Sequence, residues 1–178
     1  MKRKRKIIGI IGGMGPAAGG DLFQKIIEQT RAQNDQEHLP VVLFSFPAEI
    51  PDRTDFLLKK HNRNPGYKIV ALIKKMKQLG VTVVGIACNT AHSDQIFQIV
   101  KTRLKRSRIK LINLIEEVGS FIRKNYPQIK RLAVLATQGT LQHGIYREKL
   151  IAQGWELIPL TLKQEREIHK YIYRLKAN

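Results

Sequence analysis

The chain has 178 residues, 43% hydrophobic and 26% charged. That is ample for a packed core, yet no apolar run approaches the roughly 20 residues of a bilayer span. Lys and Arg number 32 against 14 Asp and Glu, a formal charge of +18. The single cysteine, Cys88, excludes an internal disulfide and any multi-thiolate metal site, and it suits a reducing, cytoplasmic setting.

Strand and helix signals alternate along the chain. Ile7 to Ile11 is a continuous aliphatic run, as expected of a strand buried on both faces. The basic start before it resembles a signal peptide, but Gly12, Gly13, Gly15 and Pro16 interrupt the apolar run too early for a secretory core. Ala17 to Arg31 reads as a helix, and Val41 to Phe46 as a second strand. The polar, proline-punctuated stretch from Pro47 to Gly66 reads as a long loop, a length usually kept for function. Tyr67 to Leu79 is an amphipathic helix stopped by Gly80.

Val81 to Ala87 is a third buried strand, followed by a helix over Ala91 to Leu104. A fourth strand is expected over Ile109 to Leu114, with a helix over Ile115 to Lys124. A fifth covers Leu132 to Ala136, then a helix runs from Thr140 to Gln153. Trp155 to Leu160 is the sixth strand, and Glu165 to Lys176 is helical. This alternation predicts an α/β protein with parallel sheets flanked by helices. The segments around Ala87 and Ala136 echo each other, each an apolar strand entering a polar loop and a helix. Two similar domains are therefore expected, residues 1–108 and 109–178.

The charge is partly clustered. Lys2 to Lys6 is one run; Lys101, Arg103, Lys105, Arg106, Arg108 and Lys110 form another. Such a surplus suits a nucleic-acid or anionic-surface binder, or a chain whose acidic partner is missing. No aromatic residues interleave with either run, so a base-stacking platform is not indicated and nucleic acid is not the expected partner.

In parallel sheets ligands bind beyond the carboxyl ends of the strands, so the strand-to-helix loops are where chemistry is sought. The first, Gly12 to Ala18, loosely matches a dinucleotide pattern, but Pro16 interrupts it and no acid ends the second strand. It reads equally as a tight turn, or as a turn whose N–H groups face a carboxylate at a helix start; the last is preferred. Arg53 has a planar fork suited to a carboxylate; the plainer reading pairs it with Asp52 or Asp55.

The third loop, Cys88-Asn89-Thr90-Ala91-His92, is sharper. Helix N-terminal N–H groups stabilise a thiolate, so Cys88 could be a nucleophile or a proton-transfer base. The alternative is an inert buried thiol. Asn89 and Thr90 offer donors or caps, and His92 is as suited to a structural hydrogen bond as to catalysis. Thr137 to Thr140 mirrors this loop, with capping as its plain reading. The remaining histidines show no metal spacing, so no metal is expected.

Taken together these loops resemble the aspartate/glutamate racemase family, and within it the cofactor-independent aspartate racemases. The matching segments are Gly9 to Pro16, Asp35 to His38, Ile50 to Thr54, Cys88 to His92, and Leu135 to Thr140 with Gly144 and Tyr146. The resemblance spans essentially the whole chain. It implies two α/β domains with the active site in the cleft between them, and a cysteine thiolate that removes the α-proton of aspartate or glutamate without a cofactor. Carried over, Cys88 is the first-domain thiol, and Asn89 and Thr90 hold the α-carboxylate and amino group. Met14 lines the cleft and Arg53 grips the side-chain carboxylate. Thr137, Gly139 and Thr140 complete the site from the second domain.

Three departures accompany the resemblance. The family's second cysteine lies in a segment beyond Asn178, so the second domain is expected to be incomplete and activity impaired. Gly19 stands where relatives usually carry a hydroxyl. Lys176 lies about one residue out of register with a basic residue of relatives. A homodimer covering exposed apolar surface is expected. A binding remnant that holds the amino acid without turning it over is the alternative function.

Overall fold

The structure is a computed structural model, and it describes residues 6–177. Most of the basic run Lys2 to Lys6 lies outside the described residues; Lys6 is within them. The first sheet is parallel, with strand order β2-β1-β3-β4: β1 is Ile7–Ile11, β2 Val41–Phe44, β3 Val81–Ile86 and β4 Lys110–Ile112. β1 sits between β2 and β3, with Ile10 against Leu43 on one side and Gly85 on the other. A strand with neighbours on both edges and helices on both faces needs no polar side chain, which accounts for its unbroken aliphatic sequence.

Helices α1 (Pro16–Gln29), α3 (Pro65–Gln78), α4 (Asp94–Leu104) and α5 (Leu114–Asn125) connect the strands or follow them. The apolar stripe of α3, with Ile69, Leu72, Ile73 and Met76, is fully buried against Val84 and Ile86 of β3 and Ile96 and Val100 of α4. Fully burying one such side chain stabilises by roughly 1.5–3 kcal/mol. This core holds the carboxyl end of β3 still.

The second sheet has two parallel strands, β5 (Arg131–Leu132) and β6 (Glu156–Leu157). Around it lie α6 (Gln138–Gln142), α7 (Arg147–Ile151) and α8 (Leu162–Ala177). Both strands are shorter than expected. Among the described residues no third strand pairs with them, the Ile158 N–H to Leu132 carbonyl bond is the last between the two strands, and the apolar residues Val134 to Ala136 leave the sheet. β4 pairs with β3, Val84 opposite Leu111, so the division between the sheets falls between β4 and β5, later than the expected boundary at residue 108.

Three further expectations are corrected. The stretch from Pro47 to Gly66 is not all loop: it holds a short 3₁₀ turn and helix α2 (Arg53–Leu57), which Asp52 caps by accepting the Asp55 N–H at 2.8 Å. The helix expected from Ala91 is split: Thr90–His92 is a 3₁₀ turn, Ser93 is extended, and α4 begins at Asp94. The helix expected over Thr140 to Gln153 breaks into α6 and α7, because Gly144 takes a left-handed φ of 59° that a continuing helix cannot accommodate.

Candidate functional site

The loops after β1 and β3 and the loop before α6 meet where the two sheets face each other. They enclose a cleft of about 400 Å³. Met14 and Gly15 form one wall, Cys88, Asn89 and Thr90 the floor, and Thr137 and Thr140 the opposite side. Its mouth is framed by α1, through Asp21 and Lys25, and by α8, through Ile172 and Lys176. A larger groove of about 550 Å³ lies beside β6, lined by Trp155, Leu157 and Ile158 and by no cysteine. Size alone would select it, but the cleft at Cys88 holds the converging polar groups that chemistry requires.

Cys88 follows the end of β3 and is 8% exposed. It is neither in a disulfide nor sealed inside the core, since it borders the cleft. Its main chain is fixed twice. Its N–H donates to the Ile86 carbonyl at 2.8 Å, and its carbonyl faces His92 Nδ1 at 2.8 Å. His92 Nε2 accepts the Leu114 N–H at 3.2 Å. An atom that accepts from a main-chain N–H carries no proton, so Nδ1 bears it and donates to the Cys88 carbonyl. Burial holds His92 below the ordinary histidine range, against the opposing pull of that carbonyl. It stays neutral with both nitrogens engaged, stacked on Phe97 at 4.8 Å. Of the two roles open in the sequence, the structure gives His92 the structural one.

Asn89 and Thr90 do not cap the turn they begin. Asn89 Oδ1 accepts the Tyr146 hydroxyl at 3.1 Å. Burial raises Tyr146 above the ordinary tyrosine range, so that hydroxyl keeps its proton and donates. The arrangement leaves the Asn89 Nδ2 hydrogens available to a ligand. The Thr90 hydroxyl lies 2.8 Å from that of Thr140 and 3.3 Å from that of Thr137. Thr137 and Thr140 are 3.3 Å apart, and the Thr54 hydroxyl of α2 donates to Thr137 at 3.4 Å. Thr90, Thr137 and Thr140 are all buried. Thr137 precedes α6 but its hydroxyl does not cap it, so capping, the plain reading of that loop, is not its role. Four hydroxyls from both halves of the chain share one network.

Two expected site residues lie behind the wall, outside the cleft lining. Arg53 is 9% exposed; Nη1 donates to the Pro51 carbonyl at 3.2 Å and Nη2 to the Met14 carbonyl at 3.5 Å. Its pairing with Asp52 is loose, at 4.0 Å, and its buried Nε has no partner among the described residues. Gly139 packs on α2: a Cβ there would lie 2.9 Å from Thr54 Oγ1 and 3.0 Å from Thr54 Cα. Its smallness lets α2 and α6 touch.

Asp21 and Lys25, an ion pair one turn apart on α1, were not singled out in the sequence. Their signal was available, since Ala18, Leu22 and Lys25 fall on one helical face directly after the glycine loop. Lys176 reaches the cleft with its stem beside Gly15. α8 is held there by Tyr173, whose hydroxyl donates to Asp52 at 3.3 Å, and by His169 Nδ1, which accepts the Gln138 N–H at 3.3 Å. Among the described residues no group of three or more His, Cys, Asp or Glu side chains gathers as a metal site.

Two α/β units with a lone thiol at a strand end, facing hydroxyl donors across a cleft, define a class of small-molecule site rather than a macromolecular one. The chain belongs to the Asp/Glu/hydantoin racemase family, whose model matches residues 11–174. Among solved structures it is similar to Picrophilus torridus aspartate racemase, with 32% identity and a TM-score of 0.82, covering 97% of this chain and 69% of that one. The fold is shared with an aspartate racemase homologue from Pyrococcus horikoshii, at 21% identity and a TM-score of 0.70, covering 94% and 70%. Among curated proteins it is similar to the broad specificity amino-acid racemase RacX of Bacillus subtilis (strain 168), 27% identical over 160 residues. That match covers 85% of this chain and 63% of RacX, so the chain spans less than two thirds of that relative.

Proposed function

We propose that the protein acts on the α-carbon of an acidic amino acid, aspartate or glutamate, as a cofactor-independent racemase using Cys88. The observation that carries this is Cys88 itself, held at the carboxyl end of β3 in a cleft shared with Asn89, Thr90, Thr137 and Thr140. In the proposed step the Cys88 thiolate takes the α-proton. The C–H bond breaks, an S–H bond forms, and the electron pair passes into the substrate carboxylate as an enediolate. Asn89 Nδ2 and the threonine hydroxyls are donors for that developing charge. Returning the proton to the same face restores the substrate; delivering one to the opposite face inverts it. Met14 is proposed to line the pocket. Arg53 is proposed to receive the side-chain carboxylate, supported by its unpartnered Nε and opposed by its present hold on Met14 and Pro51. Gly139 contributes through contact with Thr54 rather than through substrate.

A second reading, binding without turnover, is favoured by one fact: the chain has one cysteine, and one thiol serves one face. A cytoplasmic setting and a homodimer complete the proposal. The dimer is supported by the exposed apolar residues Leu135, Ile158 and Leu162 of the second unit.

Incubation with L- and D-aspartate in D₂O tests the assignment. Deuterium uptake at the α-carbon, lost in Cys88→Ala, is expected. No uptake by folded protein, with a higher melting temperature in aspartate, selects the binding reading. Uptake that survives in Cys88→Ala overturns the thiolate mechanism.

A further inference from the structure

The proposed activity makes no use of the charge distribution. Between Phe56 and Ile115 the chain carries 13 Lys or Arg residues and a single acid, Asp94. The fold gathers many of these cations at one end. α3 and α4 lie side by side with their N-terminal ends together: Asn64 Nδ2 donates to the Gln95 carbonyl at 2.9 Å, and Gly66 abuts Ile96. Both helices run back along a parallel sheet, so their last turns emerge where β1, β3 and β4 begin. Lys74 and Lys77 leave the end of α3, and Lys101, Lys105, Arg106 and Arg108 leave the end of α4 and its turn; all six are exposed. Among the described residues none of these six is in an ion pair. A helix dipole accounts for cations in a last turn. It does not account for the near absence of acids across the whole layer. Cys88 lies at the other end of β3, about 20 Å away by strand rise.

We propose that this end of the molecule binds the phosphate backbone of double-stranded nucleic acid without sequence preference. The lack of interleaved aromatics, which argued against a nucleic-acid partner, bears on base stacking and not on phosphate contacts. It favours duplex over single strands. A lipid surface fits less well, because interfacial binding needs apolar side chains beside the cations. The exposed large hydrophobics between residues 56 and 115 are Tyr67 and Leu79, and Arg103 lies over the Tyr67 ring at 5.1 Å.

The test is fluorescence anisotropy of the full chain with labelled duplex DNA and duplex RNA, from about 50 to about 200 mM KCl. A variant with Lys101→Gln, Lys105→Gln, Arg106→Gln and Arg108→Gln is compared with one carrying Lys124→Gln, Lys130→Gln, Lys163→Gln and Lys170→Gln, which loses the same charge elsewhere. If the four α4 cations each meet a phosphate, they contribute about 3 to 4 to the slope of log affinity against log salt. Their share of the loss over that salt range is then about 100-fold. The first variant should lose that share and the second should keep it. Equal losses in both variants would mean a net-charge effect and overturn a localised site. So would absence of binding at low salt, or binding to phosphatidylserine vesicles with none to duplex.

Discussion

His92→Phe is the most direct test of how the Cys88 loop is held. Phenylalanine keeps the ring size and the stack on Phe97 but removes two hydrogen bonds, to the Cys88 carbonyl at 2.8 Å and from the Leu114 N–H at 3.2 Å. Each main-chain group left without a partner costs about 1–3 kcal/mol, with the half-buried Leu114 amide at the low end because water reaches it. The total is about 3 kcal/mol, equivalent to a melting temperature lower by about 6–12 °C for a chain of this size. Thermal and urea unfolding measure it directly. The pH dependence gives an independent readout. Burial depresses His92 in the folded state, so the unfolded chain binds its proton more readily. Its contribution to stability is therefore complete above the ordinary histidine value of about 6.5 and is lost as pH falls below it. His92→Phe should flatten the acid-side decline relative to the parent. A variant within about 0.5 kcal/mol of the parent, or one with an unchanged decline, would refute the tautomer and the role deduced from it.

Other substitutions probe the contacts between the two halves. Gly139→Ala should cost about 1–3 kcal/mol and weaken aspartate binding, since its Cβ would meet the Thr54 backbone at 3.0 Å; calorimetry and thermal melts report both. Thr140→Val leaves the Thr90 hydroxyl without its 2.8 Å partner and should lower stability by about 1 kcal/mol, with a larger fractional loss in α-proton exchange than in melting temperature. Burial raises the Asp52 carboxyl, but the Asp55 N–H, Arg53 and the Tyr173 hydroxyl outweigh it and hold the group below the ordinary carboxylate range. Stability from Asp52 is thus present above that range and lost as pH falls through its depressed value; Asp52→Asn should remove this dependence and release α8, seen as faster hydrogen exchange along Leu162–Ala177.

Periodicity made the first sheet legible. Ile7–Ile11 is unbroken aliphatic, and Val81–Ile86 is apolar but for the exposed Thr82 near its start; strands covered on both edges and most of both faces announce themselves in this way. The second sheet was legible only in outline. Its apolar runs promise five- and six-residue strands, but a strand extends only where a neighbour supplies hydrogen bonds, and pairing is a tertiary fact. The rule for parallel sheets pointed to the loops holding Cys88 to His92 and Thr137 to Thr140, but only the family resemblance placed Asn89, Thr90, Thr137 and Thr140 at a shared site; in the structure all four line the cleft with Cys88. Arg53 and Gly139 show the limit of motif reasoning. A motif marks a residue near the site without saying whether it faces the ligand or supports the wall, and here both lie behind the lining. Asp21 and Lys25 reach the mouth on the face of α1 that Ala18 and Leu22 share; the helical spacing was readable, but that this face meets the cleft depends on the angle at which α1 leaves the glycine loop.

The threonine network bears on how the two halves could cooperate in proton transfer. Thr54 and Thr90 come from the first unit, Thr137 and Thr140 from the second, and their hydroxyls lie 2.8 to 3.4 Å apart. Each hydroxyl both donates and accepts, so the network can turn its protons toward a carboxylate without moving a heavy atom. That suits stabilising an enediolate at the Cys88 face. It does not suit protonating the far face, because an alcohol is a poor acid near neutral pH. Besides Cys88, the titratable side chains lining the cleft among the described residues are Asp21, Lys25 and Lys176, all at its mouth. Deuterium uptake with retention would therefore mean that Cys88 works one face alone. Uptake with inversion would require a second proton donor from the mouth, from water or from another subunit. Substituting Asp21 by asparagine and Lys25 and Lys176 by methionine, one at a time, would then tell a donor at the mouth from water or another subunit, since only a donor from the mouth would be silenced.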